Sequence, residues 1–61
     1  MFIALTAAET GVRVYVNMSL IKHFWRAAGW TVMYSVEAKF PTEVQETPDE
    51  ILKLLAGGHE Q

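Results

Sequence analysis

The sequence predicts an α+β domain: a small antiparallel sheet of four to five strands with one C-terminal helix, in the order β-β-(β or α)-β-β-α. Three observations lead there. Val12-Arg13-Val14-Tyr15-Val16-Asn17 alternates at the period of a strand, and Trp30–Val36 alternates again. Thr47-Pro48-Asp49-Glu50 then opens the last apolar run with the signature of a helix start. The chain has 61 residues, no cysteine and a formal charge of −2, with 51% hydrophobic against 20% charged residues. At that length one domain is the ceiling, and the apolar share is too high for a disordered peptide. The domain is expected over residues 1–56, with 57–61 as a flexible C-terminal tail.

Each element has its own warrant. Met1–Thr6 begins Met-Phe-Ile-Ala-Leu, an apolar run suited to a first strand. Ala7-Ala8-Glu9-Thr10-Gly11 is a turn in which Gly11 is free to take a positive φ. In the second strand Val12, Val14 and Val16 are expected inward, with Arg13, Tyr15 and Asn17 outward. The two strands together read as a hairpin.

Asn17–Gly29 supports two readings. Leu20, Ile21, Phe24, Trp25 and Ala28 fall at helical spacing, with Asn17 or Ser19 as a start cap and Gly29 as an end. Ile21, His23 and Trp25 also alternate, which makes Leu20–Arg26 a strand after a turn at Asn17-Met18-Ser19. The local pattern slightly prefers the helix. In the next strand Trp30, Val32, Tyr34 and Val36 share one face, and Thr31, Met33 and Ser35 the other. Glu37-Ala38-Lys39 is a polar turn. Phe40, Thr42 and Val44 continue as a strand that Pro41 confines to an edge or a bulge.

The last element is the clearest. Thr47 caps, Pro48 suits the first helical position, and Glu50 completes a capping box. Asp49 and Glu50 complement the positive end of the helix dipole. Ile51, Leu52, Leu54 and Leu55 form a broad apolar face, and Gly57-Gly58 are expected to stop the helix.

These elements meet a family at several points. The Leu5-Thr6 start, the segment Val14-Tyr15-Val16-Asn17, Leu20-Ile21, the strand Thr31–Tyr34, and Val44-Gln45-Glu46-Thr47 running into Pro48-Asp49-Glu50-Ile51 resemble the small FlbD-type flagellar proteins. The resemblance covers residues 1–56. The chain departs from the family pattern where Met18 stands for a usual Pro, where Phe24-Trp25 replaces a more polar stretch, and where Glu37-Ala38-Lys39 replaces an Asn-Gly turn. The resemblance implies a strand over Leu20–Arg26, five strands in all, and a cytoplasmic accessory factor without a catalytic centre.

Several chemistries lack their residues. Met1–Leu5 has no basic residue before it and is too short for a signal peptide or a membrane span, so a cytoplasmic, bacterial chain is expected. His23 and His59 are the only histidines and have no cysteine beside them, which is too little for a metal site of three or four ligands. Ser19, His23 and Asp49 lack a nucleophile elbow and the length to build a pocket. Gly57-Gly58 follows a helix, whereas phosphate-binding glycines precede one. No catalytic, cofactor or metal residue is assigned.

What remains is a surface for contact. Phe24, Trp25, Trp30 and Tyr34 lie within eleven residues. They are either core or the centre of a protein interface, where aromatic residues concentrate. Residues 1–36 carry +2 and residues 37–61 carry −4. Arg13, Lys22 and Arg26 are the alternative nucleic-acid contacts, yet three scattered cations on an acidic chain neutralise few phosphates. A loose similarity to LytTR-type DNA-binding domains meets the same objection. So short a chain buries only about 60% of the surface its unfolded form exposes. A self-associating interaction module, a homodimer or higher oligomer, is therefore the expectation, with a small nucleic-acid-binding β domain as the alternative.

Overall fold

The computed structural model describes residues 1–57; Gly58, His59 and the rest of the anticipated tail lie outside the described residues. Strands β1 (Phe2–Thr6) and β2 (Arg13–Asn17) form an antiparallel hairpin, paired from Phe2 opposite Asn17 to Thr6 opposite Arg13. A single 3-10 turn at Met18–Leu20 follows, its start capped by the Asn17 side chain, whose Oδ1 accepts from the Ser19 N–H at 3.1 Å. Strands β3 (Ile21–Ala27), β4 (Trp30–Ser35) and β5 (Thr42–Val44) make a second antiparallel sheet in that order. Helix α1 spans Pro48–Gly57. The five strands thus divide between two sheets instead of sharing one.

The sheets are joined where β1 ends. Ala7 bridges antiparallel to Val44, the Gln45 N–H donates to the Thr6 carbonyl (2.8 Å), and the Ala8 N–H donates to the Glu43 carbonyl (2.9 Å). Between the sheets sits the core: Ile3, Leu5, Met33, Val44 and Ile51, with Val14, Val16, Met18, Ile21, Phe24 and Leu55 packed around it. The register explains the membership. Ile3 faces Val16 and Leu5 faces Val14 on the inner side of the first sheet, while Phe24 faces Met33 in the second.

The ambiguous stretch is a strand, as the resemblance implied and against the local helical pattern. β4 has a ladder on both sides, β3 on one and β5 on the other, and a helix over 20–28 would leave one row of its backbone groups unpaired. Pairing register slips between Ile21 and His23, so one extra residue, Lys22, is accommodated in a bulge. That slip puts Ile21 and Phe24 on the same inner face.

Other expectations need correction. Val12 precedes β2 and is exposed, because it closes the hairpin loop and lies beyond the inward row. Phe40 also lies outside its strand and is 79% exposed; Pro41 has no N–H to give the ladder, and β5 starts only at Thr42. In α1 only Ile51 is buried and Leu55 half-buried, while Leu52 and Leu54 are exposed. A face four residues apart is what one helix resting on a small core can bury. Gly57 is the last described helical residue, not a stop before it.

The capping box forms as expected. The Glu50 N–H donates to Thr47 Oγ1 (3.1 Å) and the Thr47 N–H donates to Glu50 Oε1 (2.8 Å), two otherwise unpaired donors satisfied reciprocally. No helix among the described residues is long and apolar enough to cross a membrane.

Candidate interaction surface

Alternation along β3 and β4 sorts the four predicted interface residues into two groups. Trp25 stands opposite Val32, His23 opposite Tyr34 and Ala27 opposite Trp30, all on the outer face. Phe24 stands opposite Met33 on the inner face and packs against the core. The structure therefore brings Trp25, Trp30 and Tyr34 to one face and sends Phe24 to the other.

On the outer face the rings touch. His23 stacks on Trp25 with centroids 5.4 Å apart, meets Tyr34 edge-on at 5.6 Å, and Trp25 lies 5.4 Å from Tyr34. Such spacings are within the favourable range for aromatic pairs. Trp25 nevertheless keeps 41% of its surface exposed and Tyr34 37%. Val32 is buried beneath, between Trp25 on one side and Glu43 of β5 on the other. His23 is the member that sequence reasoning did not assign to the surface. Its alternation with Trp25 was the available signal, and it identifies the face only once the segment is a strand.

The three candidate nucleic-acid contacts are not gathered. Arg13 belongs to β2 in the first sheet, and Lys22 lies at the bulge of β3. Arg26 stands opposite Thr31 on the inner side, and its guanidinium donates to the carbonyls of Gly29 (2.8 Å) and Gln45 (3.4 Å). Arg26 ties the β3–β4 turn to the end of β5. That tether leaves it little freedom for phosphate.

A second network escaped sequence reasoning. Glu46 reaches back to β1, where its carboxylate accepts from the Thr6 N–H (2.9 Å) and the Thr6 hydroxyl (2.8 Å). The buried Thr31 hydroxyl donates to the Glu46 backbone carbonyl at 2.5 Å. Both strands are thereby fastened to the segment between β5 and α1. No local pattern marks Glu46, since its partner is 40 residues away.

Two surface hollows accompany these features. One of about 270 Å³ is lined by Ala8, Thr10, Pro41 and Glu43. The other, about 380 Å³ and mostly apolar, opens between β2 and the ends of β3 and β4, with Val14, Val16, Leu20, Ile21, Ala38 and Thr42 in its walls. Among the described residues no three His, Cys, Asp or Glu side chains converge to hold a metal ion. Ser19 lies in the 3-10 turn, His23 in the aromatic cluster and Asp49 in the first turn of α1.

No family model matches the chain, and no curated protein or solved structure shows significant similarity to it. The FlbD-type resemblance therefore rests on the quoted motifs alone.

Proposed function

We propose that this chain is a non-enzymatic, self-associating protein–protein interaction module of the cytoplasm, in the manner of the flagellar accessory factors it resembles. One observation carries the reading. Among the described residues ten large apolar side chains are exposed, against six apolar residues in the buried core. Scattered apolar residues are ordinary on protein surfaces, but contiguous ones mark contact sites. Here Trp25, Tyr34 and Trp30 share a face with His23 and Val32, and Glu43 is the acidic residue that the register places beside them. An aromatic, charge-poor centre with a polar margin is the anatomy of an interface core.

Light scattering coupled to size exclusion, or native mass measurement, tests it. At micromolar concentration the expected mass is at least twice the 6.9 kDa of one chain. A clean monomer would overturn the proposal. Titration with a single-stranded oligonucleotide probes the other class: binding at ~50 mM salt that vanishes by ~200 mM would favour a nucleic-acid domain using Arg13 and Lys22.

A further inference from the structure

Among the edge strands of this fold, β3 and β2 are protected very differently. β3, at the outside of the second sheet, carries the bulge, two cations (Lys22 and Arg26) and contacts with helix α1. Bulges, charges and covering elements are the devices that keep an edge from pairing with another chain. β2, at the outside of the first sheet, has none of these except Arg13 at its start.

The register states which backbone groups of β2 are free. The ladder with β1 includes the Met18 N–H on the Met1 carbonyl (2.7 Å) at one end and the Ala7 N–H on the Val12 carbonyl (2.8 Å) at the other. Bonded and non-bonded pairs alternate between them. Val14 and Val16 therefore bond to β1, while Arg13 and Tyr15 turn their N–H and C=O groups outward and Asn17 its N–H alone, its carbonyl being taken by the 3-10 turn that Asn17 caps. Two full outward positions and the Asn17 N–H form a strand template.

We infer that a second copy of this chain docks on that edge, β2 against β2 of the partner, antiparallel about a two-fold axis at Tyr15. The inference rests on the self-association proposed above and names its contact. The sequence of β2 selects this register. With Tyr15 opposite its own symmetry mate, the two Tyr15 residues exchange both bonds, and Arg13 lies opposite Asn17 of the partner strand, whose free N–H meets the Arg13 carbonyl. Sliding the strands to centre on Arg13 would set two guanidinium groups face to face, which costs stability. The chosen register also places Val14 beside Val16 of the other copy on the inner side. These two half-buried residues line the 380 Å³ hollow, so the pairing extends apolar surface across its mouth. On the outer side Tyr15, 69% exposed in the single chain, meets its counterpart. The aromatic face of β3 and β4 is the competing contact between copies, and Trp25 marks it in the test.

Single cysteines give a direct test, because the chain has none of its own. A bonded antiparallel pair holds its Cα atoms about 5.5 Å apart, inside the ~4.4–6.8 Å span of a disulfide. Under mild oxidation at micromolar concentration, Tyr15→Cys is expected to form a covalent dimer at least tenfold faster than Trp25→Cys. In parallel, Tyr15→Lys sets two ammonium groups together and should raise the dimer dissociation constant at least tenfold, with the far-ultraviolet circular dichroism unchanged. Should Tyr15→Lys fail to fold, the crosslinking rates decide alone. A wild-type monomer would overturn both this contact and the self-association. A wild-type dimer in which the Tyr15→Cys variant crosslinks no faster than Trp25→Cys would overturn the β2 contact and leave self-association standing.

Discussion

Along β4, Thr31 and Met33 have no exposed surface, while the next residue, Tyr34, keeps more than a third of its own. The same contrast runs along β3, where Phe24 is packed inward and Trp25 beside it stands half out in solvent. Both faces are rich in large apolar groups, so hydrophobicity did not choose between them. Shape and hydrogen bonding did. The inner face must fit between two sheets and under a helix, and it holds an unbranched Met, a Phe at its margin and a Thr whose hydroxyl finds the Glu46 carbonyl. The outer face holds Trp25, Trp30, Tyr34 and His23, and of these the rings of Trp25, Tyr34 and His23 pack on one another.

The sharpest way to break the contrast is to shorten one residue on each side. Met33→Ala removes a fully buried side chain and should cost about 2–5 kcal/mol, much of the stability a core this small supplies. Urea unfolding at fixed protein concentration should show a collapsed or absent transition, the fixed concentration being needed because dimerisation adds to apparent stability. Next in size is Thr31→Val, which keeps the volume but takes away the donor to Glu46. A loss of about 1–3 kcal/mol is expected, the range for leaving a buried polar group unmet. Glu46→Ala should fall in the same range by freeing Thr6, and the pair Thr31→Val with Glu46→Ala need not be additive, since both act on one segment. On the outer face Trp25→Ala should cost the fold no more than about 1.5 kcal/mol, the scale of the ring contacts it gives up. Equal losses for Met33→Ala and Trp25→Ala would erase the distinction between the faces.

Much of this architecture is legible before any coordinates are. The Val14 and Val16 alternation, the Thr47–Glu50 box and the helix behind it depend on neighbours in the chain, and the chain displays them. The contrast between the faces does not. Alternation says that Trp30 and Thr31 point opposite ways, but which way is inward depends on Leu5, Val44 and Ile51, which arrive from distant elements. The segment from Leu20 to Ala28 misleads for a specific reason. The bulge at Lys22 lets a strand hold Ile21 and Phe24 on one face, three residues apart, which is the spacing of a helix. Glu46 is invisible for the opposite reason: nothing near it in sequence is its partner. Phe40 and Val12 are apolar residues at strand margins: Phe40 lies outside β5, and Val12 only closes the hairpin loop, its carbonyl accepting from the Ala7 N–H.

What holds the two faces in register is the turn between β3 and β4. Ala27 pairs with Trp30, which leaves Ala28 and Gly29 as a two-residue loop with φ of 52° and 95°. Positive φ at both positions is the geometry that matches the twist of a hairpin, and Asn-Gly is its preferred sequence. Gly29 adopts it freely, but Ala28 must place a Cβ in the left-handed region at a cost of about 1–2 kcal/mol. That cost is tolerated because a slip of one residue would carry Trp25 and Tyr34 inward and Phe24 and Met33 outward. Ala28→Asn should recover part of it, stabilising the domain by about 0.5–1 kcal/mol in urea unfolding without altering its state of association. Ala28→Val, with a branched Cβ in the same region, should destabilise it. If both substitutions proved neutral, the turn would not be setting the register, and the choice of inner face would lie wholly with the packing of Met33 and Thr31.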